Sequence, residues 1–439
     1  MKKNSETYCK YIREGELPEE KFDMNRPFFK QRPYALPILW AWSWIRQKIL
    51  FGKTEKIGME GIKPPYILLC NHNAFYDFYV MSLAIAPHRG IFPAAVDDYI
   101  GREWGLRRLG TVPKRKYTAD IGLLRLCRKV LKENQIFGIY AEARYSLCGM
   151  TEVIPDAVAQ LIKHQKVPVV VLNMKGHHIY DPFWGNHRHR YVKGVRATMT
   201  LAYTPEQLKT ASVEEINERI HQLMYNDDFR WQSENRVKVK YKKRAEGLHK
   251  VLYQCPHCGT EYKMNSKDDM VFCEHCGKKW KLNYYGELEA QEGETEFKFP
   301  TDWYKWEREQ VKKEVQAGTY RLECKADVND LPNSKGFVHL GKADFVHDMT
   351  GFHVHGVRDY DGKPFDMDID SAGQYAVHVE YNYRFGYFRD CVDLNTIDDT
   401  WYVFPENCEF SLTKISLATE EIFNEIWRKR NEERLAAKK

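Results

Sequence analysis

The chain has 439 residues, of which 43% are hydrophobic and 29% are charged, a composition typical of a folded protein with two to four domains. Its formal net charge is +6, from 67 basic and 61 acidic residues. This small excess suits anionic substrates or an anionic membrane surface and argues against a nucleic-acid-binding protein.

Residues 1–55 predict a membrane-associating segment. No secretory hydrophobic region follows the polar start, and no apolar run reaches the roughly 20 residues that span a bilayer. The stretch 33–51 is rich in tryptophan but contains Arg46 and Lys48, which favours an amphipathic helix at the membrane interface. The alternative is an ordinary amphipathic helix packed on a protein core. The polar start and an odd number of cysteines, 11, indicate a reducing cytosol.

Residues 56–235 alternate short apolar runs with longer amphipathic segments. The apolar runs are 66–70, 136–140, 167–172 and 197–203. The helix-like segments include 120–132 and 154–164, and Ser212 with Glu215 predicts a capping box at the start of another helix. This alternation predicts an α/β layer fold with a largely buried sheet.

His72 and Asp77 stand five residues apart, directly after the apolar run 66–70. A carboxylate that orients an imidazole makes a general base, which can take a proton from a substrate hydroxyl. Positions i and i+5 of one helix point about 140° apart. The pair can therefore meet only if His72 lies on a turn and Asp77 in the first turn of the following helix. The alternative is a strand-end histidine followed by an aspartate that the helix dipole favours.

A glycine and three cations follow the pair. Gly110 precedes Lys114, Arg115 and Lys116, a group that suits a phosphate or another anion. A basic turn on the surface would give the same pattern.

Two further segments complete the set. The apolar run 136–140 leads into Glu142 and Arg144, at the carboxyl end of a predicted strand, where open α/β sheets bind ligands. Residues 166–172 predict a buried strand introduced by Pro168.

In this order and at these intervals, the four segments resemble the glycerolipid acyltransferase superfamily, typified by lysophosphatidic acid acyltransferases. The resemblance covers roughly residues 56–235. It implies that His72 is the base for an acceptor hydroxyl that attacks an acyl thioester, with Asp77 orienting it. The residues implied to bind the acceptor phosphate, or to hold the acceptor or brace the site, are Lys114, Arg115, Lys116, Glu142 and Arg144. The implied donor is acyl-CoA or acyl-carrier protein, and the implied acceptor is a lysophospholipid such as 1-acylglycerol-3-phosphate.

The sequence departs from the family pattern around the acceptor. Ala141 and Ala143 replace the usual proline and glycine, and Arg144 stands one place early. Arg115 is also one place early, and Lys116 takes the family's arginine position. Acyl transfer is therefore a firmer prediction than a lysophosphatidate acceptor. The alternative is a lipid- or protein-binding scaffold in which the fold has lost its reaction.

Two cysteine knuckles lie in the region 236–296, after a basic linker. Cys255 with Cys258 and Cys273 with Cys276 have the spacing of a four-thiolate zinc ribbon. Because protein ligands fill all four positions, the predicted Zn²⁺ is structural and has no place for a reactive water. A histidine cluster at 177–178 and 187–189 has no carboxylate at ligand spacing and is interpreted as a loop.

Residues 297–439 predict a third region. A helix near 299–315 precedes strand-like segments from about 319 to 416, and Thr419 predicts the cap of a final helix. The pattern indicates a small β-barrel or sandwich closed by that helix. The whole chain is therefore predicted to be an α/β acyltransferase with a zinc ribbon and a β-rich region appended. Its expected location is the cytoplasm, peripheral to the inner face of the cell membrane.

Overall fold

The computed structural model describes residues 11–12, 21–24, 30–50, 52–118, 121–185 and 192–436, without the side chains at 121 and 385. Parts of the predicted segments 1–55 and 120–132, and both His187 and His189, lie outside these residues.

The first part of the chain forms a seven-stranded sheet. Its strands are β1 (Lys53–Ile57), β2 (Tyr66–Cys70), β3 (Gly90–Ala95), β4 (Thr111–Lys114), β5 (Ile136–Tyr140), β6 (Val169–Lys175) and β7 (Arg196–Tyr203). They lie in the order β1-β7-β6-β2-β5-β3-β4. Strands β2 to β6 run parallel to one another, whereas β7 is antiparallel to β6 and β1 follows the direction of β7.

Helices cover both faces of this sheet. They are α1 (Leu36–Ile49), α2 (Asp77–Ala84), α3 (Glu103–Arg108), α4 (Ile121–Lys132), α5 (Ala157–Gln165), α6 (His177–Tyr180), α7 (Pro205–Thr210), α8 (Val213–Met224) and α9 (Asp228–Glu234). Successive residues of β2 enter two different apolar cores, with Leu68 in one and Leu69 in the other. A central strand buried on both faces must be apolar throughout, which explains its uninterrupted apolar sequence. The α/β prediction is confirmed, and Ser212 and Glu215 form the predicted capping box.

A small antiparallel sheet follows. Its strands are β8 (Met264–Lys267), β9 (Met270–Cys273), β10 (Lys279–Leu282) and β11 (Leu288–Ala290), and each pairs with the next. Trp280 of β10 is fully buried, and its ring meets that of Trp303 edge to face at 4.9 Å. This contact attaches the small sheet to the next helix.

The last region is a second seven-stranded sheet with helices. Its elements are α10 (Pro300–Ala317), β12 (Arg321–Asn333), β13 (Gly336–Asp348), β14 (Gly351–Val357), β15 (Pro364–Asp370), β16 (His378–Glu380), α11 (Tyr383–Gly386), β17 (Cys391–Asn395), β18 (Thr400–Glu406) and α12 (Leu412–Ala436). The strands are antiparallel in the order β15-β14-β13-β12-β18-β17-β16. The prediction of a β-rich region with a terminal helix is confirmed.

Two details of that region differ from the prediction. In the described part of the chain, β15 and β16 lie at opposite ends of one open sheet, so it is neither a closed barrel nor a sandwich. Alternation and turn signals are the same in open and closed sheets, and only the pairing of the end strands separates them. The final helix begins at Leu412 and contains Thr419, whose hydroxyl donates to the Ile415 carbonyl one turn earlier. The helix begins earlier because Ser411 caps it, with its Oγ accepting the Lys414 N–H at 3.3 Å.

Candidate active site

The strand, turn and helix that the spacing of His72 and Asp77 requires are present. Strand β2 ends at Cys70, helix α2 begins at Asp77, and His72 lies on the turn between them. The His72 Nδ1 is 3.1 Å from Asp77 Oδ2. The Asp77 side chain is fully buried, whereas that of His72 keeps 17% of its surface exposed. Because Nδ1 faces the buried carboxylate, the accessible edge of the ring is the opposite one, which carries Nε2.

Asp77 is held as an ionised hydrogen-bond acceptor. Its Oδ2 also accepts the backbone N–H groups of Asn73 at 2.6 Å and Ala74 at 2.9 Å. Burial alone would raise the pKa of Asp77, but hydrogen bonds from His177 and His72 lower this pKa to about 2. An ionised carboxylate only accepts hydrogen bonds, so His72 presents a protonated Nδ1 to it. The lone pair of His72 Nε2 is then available to take a proton from a hydroxyl.

A second histidine completes this arrangement. His177 Nδ1 lies 2.5 Å from Asp77 Oδ1, and both side chains are fully buried. The two carboxylate oxygens of Asp228 accept the N–H groups of Gly176 at 2.8 Å and His178 at 2.9 Å, which fixes the backbone on both sides of His177. Among the described residues, His177 Nε2 has no hydrogen-bond partner. The His177 Nδ1–H therefore donates to Asp77 Oδ1.

The interpretation of His177 as a loop histidine without a carboxylate was wrong. It begins the short helix α6, and its carboxylate partner is 100 residues earlier in the chain. Local spacing cannot reveal a partner that only the pairing of β2 with β6 brings near. The signal in the sequence was His177 immediately after the buried run that forms β6, which lies beside β2 in the sheet.

Replacing His177 with leucine should lower kcat of acyl transfer about tenfold and move the acid limb of the kcat/KM profile to higher pH by about one unit. Leucine removes one donor from Asp77, and the charge left on Asp77 then favours a protonated His72. A hydrogen bond to a charged group contributes roughly 1.5–3 kcal/mol, and one pH unit corresponds to about 1.4 kcal/mol. His177→Asn keeps a donor near the Nδ1 position and should restore the profile. A purely structural role would lower the melting temperature and leave the acid limb in place.

Aromatic rings form the wall beside the base. The His72 ring stacks on Tyr140 at 3.8 Å and meets Tyr145 at 4.1 Å. Tyr145 in turn meets Phe183 at 5.4 Å, and Phe183 meets His378 of β16 at 6.1 Å. The wall therefore runs from the base to the C-terminal sheet.

Glu142 braces the turn that carries His72. Its Oε2 accepts the His72 N–H at 2.9 Å and its Oε1 accepts the Glu152 N–H at 3.2 Å. The residue is only 1% exposed, and burial raises the pKa of its carboxyl to about 8. Of the two roles that the resemblance implies, its contacts fit bracing the site and not holding the acceptor.

Arg144 points away from solvent and into the C-terminal region. Its Nη1 donates to the Val377 carbonyl at 3.1 Å and to Ser416 Oγ at 2.6 Å. Its Nη2 is ion-paired with Glu152 and Glu420. The guanidinium has no face open to a ligand, so we do not include Arg144 in the acceptor site.

The three cations after Gly110 also have protein partners. Arg115 is 2% exposed and donates to Thr400 Oγ1 at 2.5 Å and to the Asp398 carbonyl at 2.7 Å. Lys116 Nζ lies 3.0 Å from Asp393 Oδ2, and Lys114 Nζ donates to the carbonyl and hydroxyl of Thr118. Arg115 and Lys116 thus face the C-terminal sheet, and the sequence could not predict this because their partners are more than 250 residues away.

The four predicted cysteine ligands converge on one point. The Sγ atoms of Cys255 and Cys276 are 3.8 Å apart, those of Cys258 and Cys273 are 3.9 Å apart, and all four lie within 4.8 Å of one another. Tetrahedral thiolates at a zinc–sulfur distance of about 2.3 Å are about 3.8 Å apart. The group could therefore hold a metal ion, and its dimensions fit Zn²⁺.

The comparison with protein families gives a match in the part of the chain that forms the first seven-stranded sheet. Residues 51–175 match the family model described as Acyltransferase, a range that contains His72, Asp77 and the cations after Gly110. No curated protein matches the chain. Among solved structures, the chain is similar to the crystal structure of the 1-acyl-sn-glycerophosphate (LPA) acyltransferase PlsC from Thermotoga maritima. The two share 20% identity over 44% of this chain and 77% of that one, with a TM-score of 0.34. The family match over residues 51–175 supports acyltransferase activity in general.

Proposed function

We propose that this chain moves a fatty acyl group from a thioester donor, acyl-CoA or acyl-carrier protein, to the hydroxyl of a lysophospholipid-like acceptor. His72 takes the proton from that hydroxyl, and Asp77 orients His72 and stabilises the imidazolium. The observation that carries the proposal is the 3.1 Å contact between a partly exposed imidazole and a buried, ionised carboxylate.

No protein nucleophile is required in this scheme. The acceptor hydroxyl loses its proton to His72 Nε2 and attacks the thioester carbonyl, and the tetrahedral intermediate then expels the thiolate. The imidazolium returns a proton to the leaving sulfur, so the products are an ester and a free thiol. Among such acceptors the resemblance implies 1-acylglycerol-3-phosphate. The proposal itself does not specify the headgroup of the acceptor.

The test is release of free thiol from acyl-CoA and from acyl-carrier protein in the presence of lysolipids, with mass detection of the diacyl product. Thiol release that depends on the acceptor supports the proposal. If wild-type protein binds lysolipid but releases no more thiol than the donor loses spontaneously, the protein is a lipid-binding scaffold.

We further propose that α1 rests on an anionic membrane surface at the cytoplasmic face. None of the described helices has the length and apolarity to cross a bilayer. On α1, however, Ile38 is 73% exposed, and Trp42 and Trp44 are about half exposed. The guanidinium of Arg46 lies over the Trp42 ring at 5.8 Å. Exposed tryptophans beside cations are typical of a helix at the headgroup region.

Replacing Trp42 and Trp44 together with alanine should weaken binding to vesicles that contain anionic lipid by at least about tenfold, because each indole buries a large apolar area. Sedimentation with vesicles measures this. Ile397→Ala is the matched control, since Ile397 is 70% exposed but lies on the turn between β17 and β18. Unchanged vesicle binding in the double variant would contradict the proposal.

A further inference from the structure

A cluster of charged side chains, called here the charged cluster, lies beside the aromatic wall. Lys116 occupies the family's arginine position, where the resemblance implies that the acceptor phosphate binds. Its Nζ is 3.0 Å from Asp393 Oδ2 and 3.9 Å from Glu380 Oε1, and 14% of its side chain is exposed. Burial lowers the pKa of Lys116, but the fields of Asp393, Asp97 and Glu380 raise it above its usual value. The positive charge of the Lys116 ammonium group is therefore already balanced by carboxylates of the protein.

The charged cluster is connected to the base through side-chain contacts. Phe183, which continues the wall from His72, meets His378, and His378 Nε2 bonds Glu380 Oε1 at 2.9 Å. On the other side, Asp98 keeps 42% of its side chain exposed. Burial is the largest cause that raises the pKa of Tyr140, the ring stacked on His72, and the charge of Asp98 adds a smaller increase.

The other cations of the charged cluster are paired as well. Arg102 Nη2 lies 2.8 Å from Asp98 Oδ1, and Arg384 Nη2 lies 3.4 Å from Asp97 Oδ2. In the charged cluster, each of the cations Lys116, Arg102 and Arg384 therefore already faces a carboxylate of the protein.

From this charge pattern we infer that the acceptor headgroup carries no phosphomonoester and is either uncharged or bears an ammonium group. The inference rests on the proposed acyl transfer and narrows its acceptor. A phosphomonoester carries a charge near −2 at neutral pH. It would have to displace the carboxylates of Asp393 and Glu380 from Lys116. A glycerol hydroxyl or an ammonium group requires no such displacement.

The test uses a matched pair, 1-oleoylglycerol and 1-oleoylglycerol-3-phosphate, at equal mole fraction in micelles of a nonionic detergent. Wild-type protein should use the unphosphorylated acceptor with a kcat/KM at least about tenfold higher. An equal or higher kcat/KM for the phosphorylated acceptor would overturn the inference.

Replacing one carboxylate with an uncharged amide tests whether the charged cluster sets the preference between the two acceptors. Wild-type preference is the kcat/KM for 1-oleoylglycerol divided by the kcat/KM for 1-oleoylglycerol-3-phosphate. Glu380→Gln should lower this ratio several-fold. Glu406→Gln is the control, because Glu406 lies on the same sheet but pairs with Lys342 and Arg389. An unchanged ratio in Glu380→Gln, with its melting temperature intact, would also overturn the inference.

Binding of both lipids to His72→Ala, followed by intrinsic fluorescence, separates this inference from the proposed function. Absence of thiol release with every acceptor would reject the proposed function. Tighter binding of the phosphorylated lipid would reject the inference whether or not the protein turns over.

Discussion

His72→Ala should reduce kcat of acyl transfer by about 10³-fold while leaving KM for the thioester within about threefold. General-base catalysis contributes roughly 10²–10⁴ in rate, and His72 is the residue to which the proposal assigns that role. Asp77→Asn should cost a similar factor, because a neutral amide cannot stabilise the imidazolium and can donate to Nδ1, which favours the wrong tautomer. Initial rates of thiol release at saturating acceptor measure both effects.

The two variants differ in what they do to the fold. Asp77 joins the turn, α2 and α6 through four hydrogen bonds, so Asp77→Asn should also lower the melting temperature. His72→Ala removes one of these four hydrogen bonds and should lower the melting temperature less than Asp77→Asn does. His221→Ala, at an exposed position on α8, is the matched control and should keep full activity. A His72→Ala protein that retains more than a tenth of the wild-type rate would rule out the assigned base.

The four cysteines could hold a metal ion, and removal of a metal bound there should be the largest stability effect. Cys255→Ser, or a strong chelator, should unfold the small sheet, because structural zinc sites contribute about 10–16 kcal/mol of binding free energy to folding. The Trp280–Trp303 contact would be lost with it, so tryptophan emission should shift to longer wavelength as the melting temperature falls.

Cobalt substitution gives the sharpest measurement of this site. Thiolate ligation of Co²⁺ produces a charge-transfer absorption that only sulfur ligands give, and Cys255→Ser should weaken it. This matters because His353, His355 and Asp368 form a second convergent group on the exposed face of the C-terminal sheet, which could bind added metal without sulfur. Cys324→Ser is the control, since Cys324 is outside the cluster. A full cobalt signal in Cys255→Ser would contradict the assignment.

Local patterns predicted those parts of the molecule that depend on neighbours in sequence. The buried run at 66–70 became β2 with the predicted bounds, and the five-residue spacing from His72 to Asp77 fits only a turn followed by a helix start. The cysteine knuckles are equally local, since each pair spans one turn. In these cases the physical constraint acts within a few residues.

Long-range pairing set the limits of prediction. A triplet of cations reads as a phosphate site because nothing nearby in sequence neutralises it, yet the partners of Arg115 and Lys116 come from β17 and the turn after it. The contact of His177 with Asp77 was missed because its partner is also distant in sequence. Whether the C-terminal sheet closes is likewise a property of strands far apart in the chain.

The inward-facing Arg144 has a practical consequence. Its ion pair with Glu420 and its bond to Ser416 come from α12, the last helix, so a fragment trimmed to the family-matched residues would lack both. Separating a buried ion pair costs roughly 3–5 kcal/mol, and such a fragment would also uncover the apolar surface under the C-terminal sheet. Attempts to express the catalytic part alone should therefore yield aggregated material, and the shortest soluble enzyme should extend through α12.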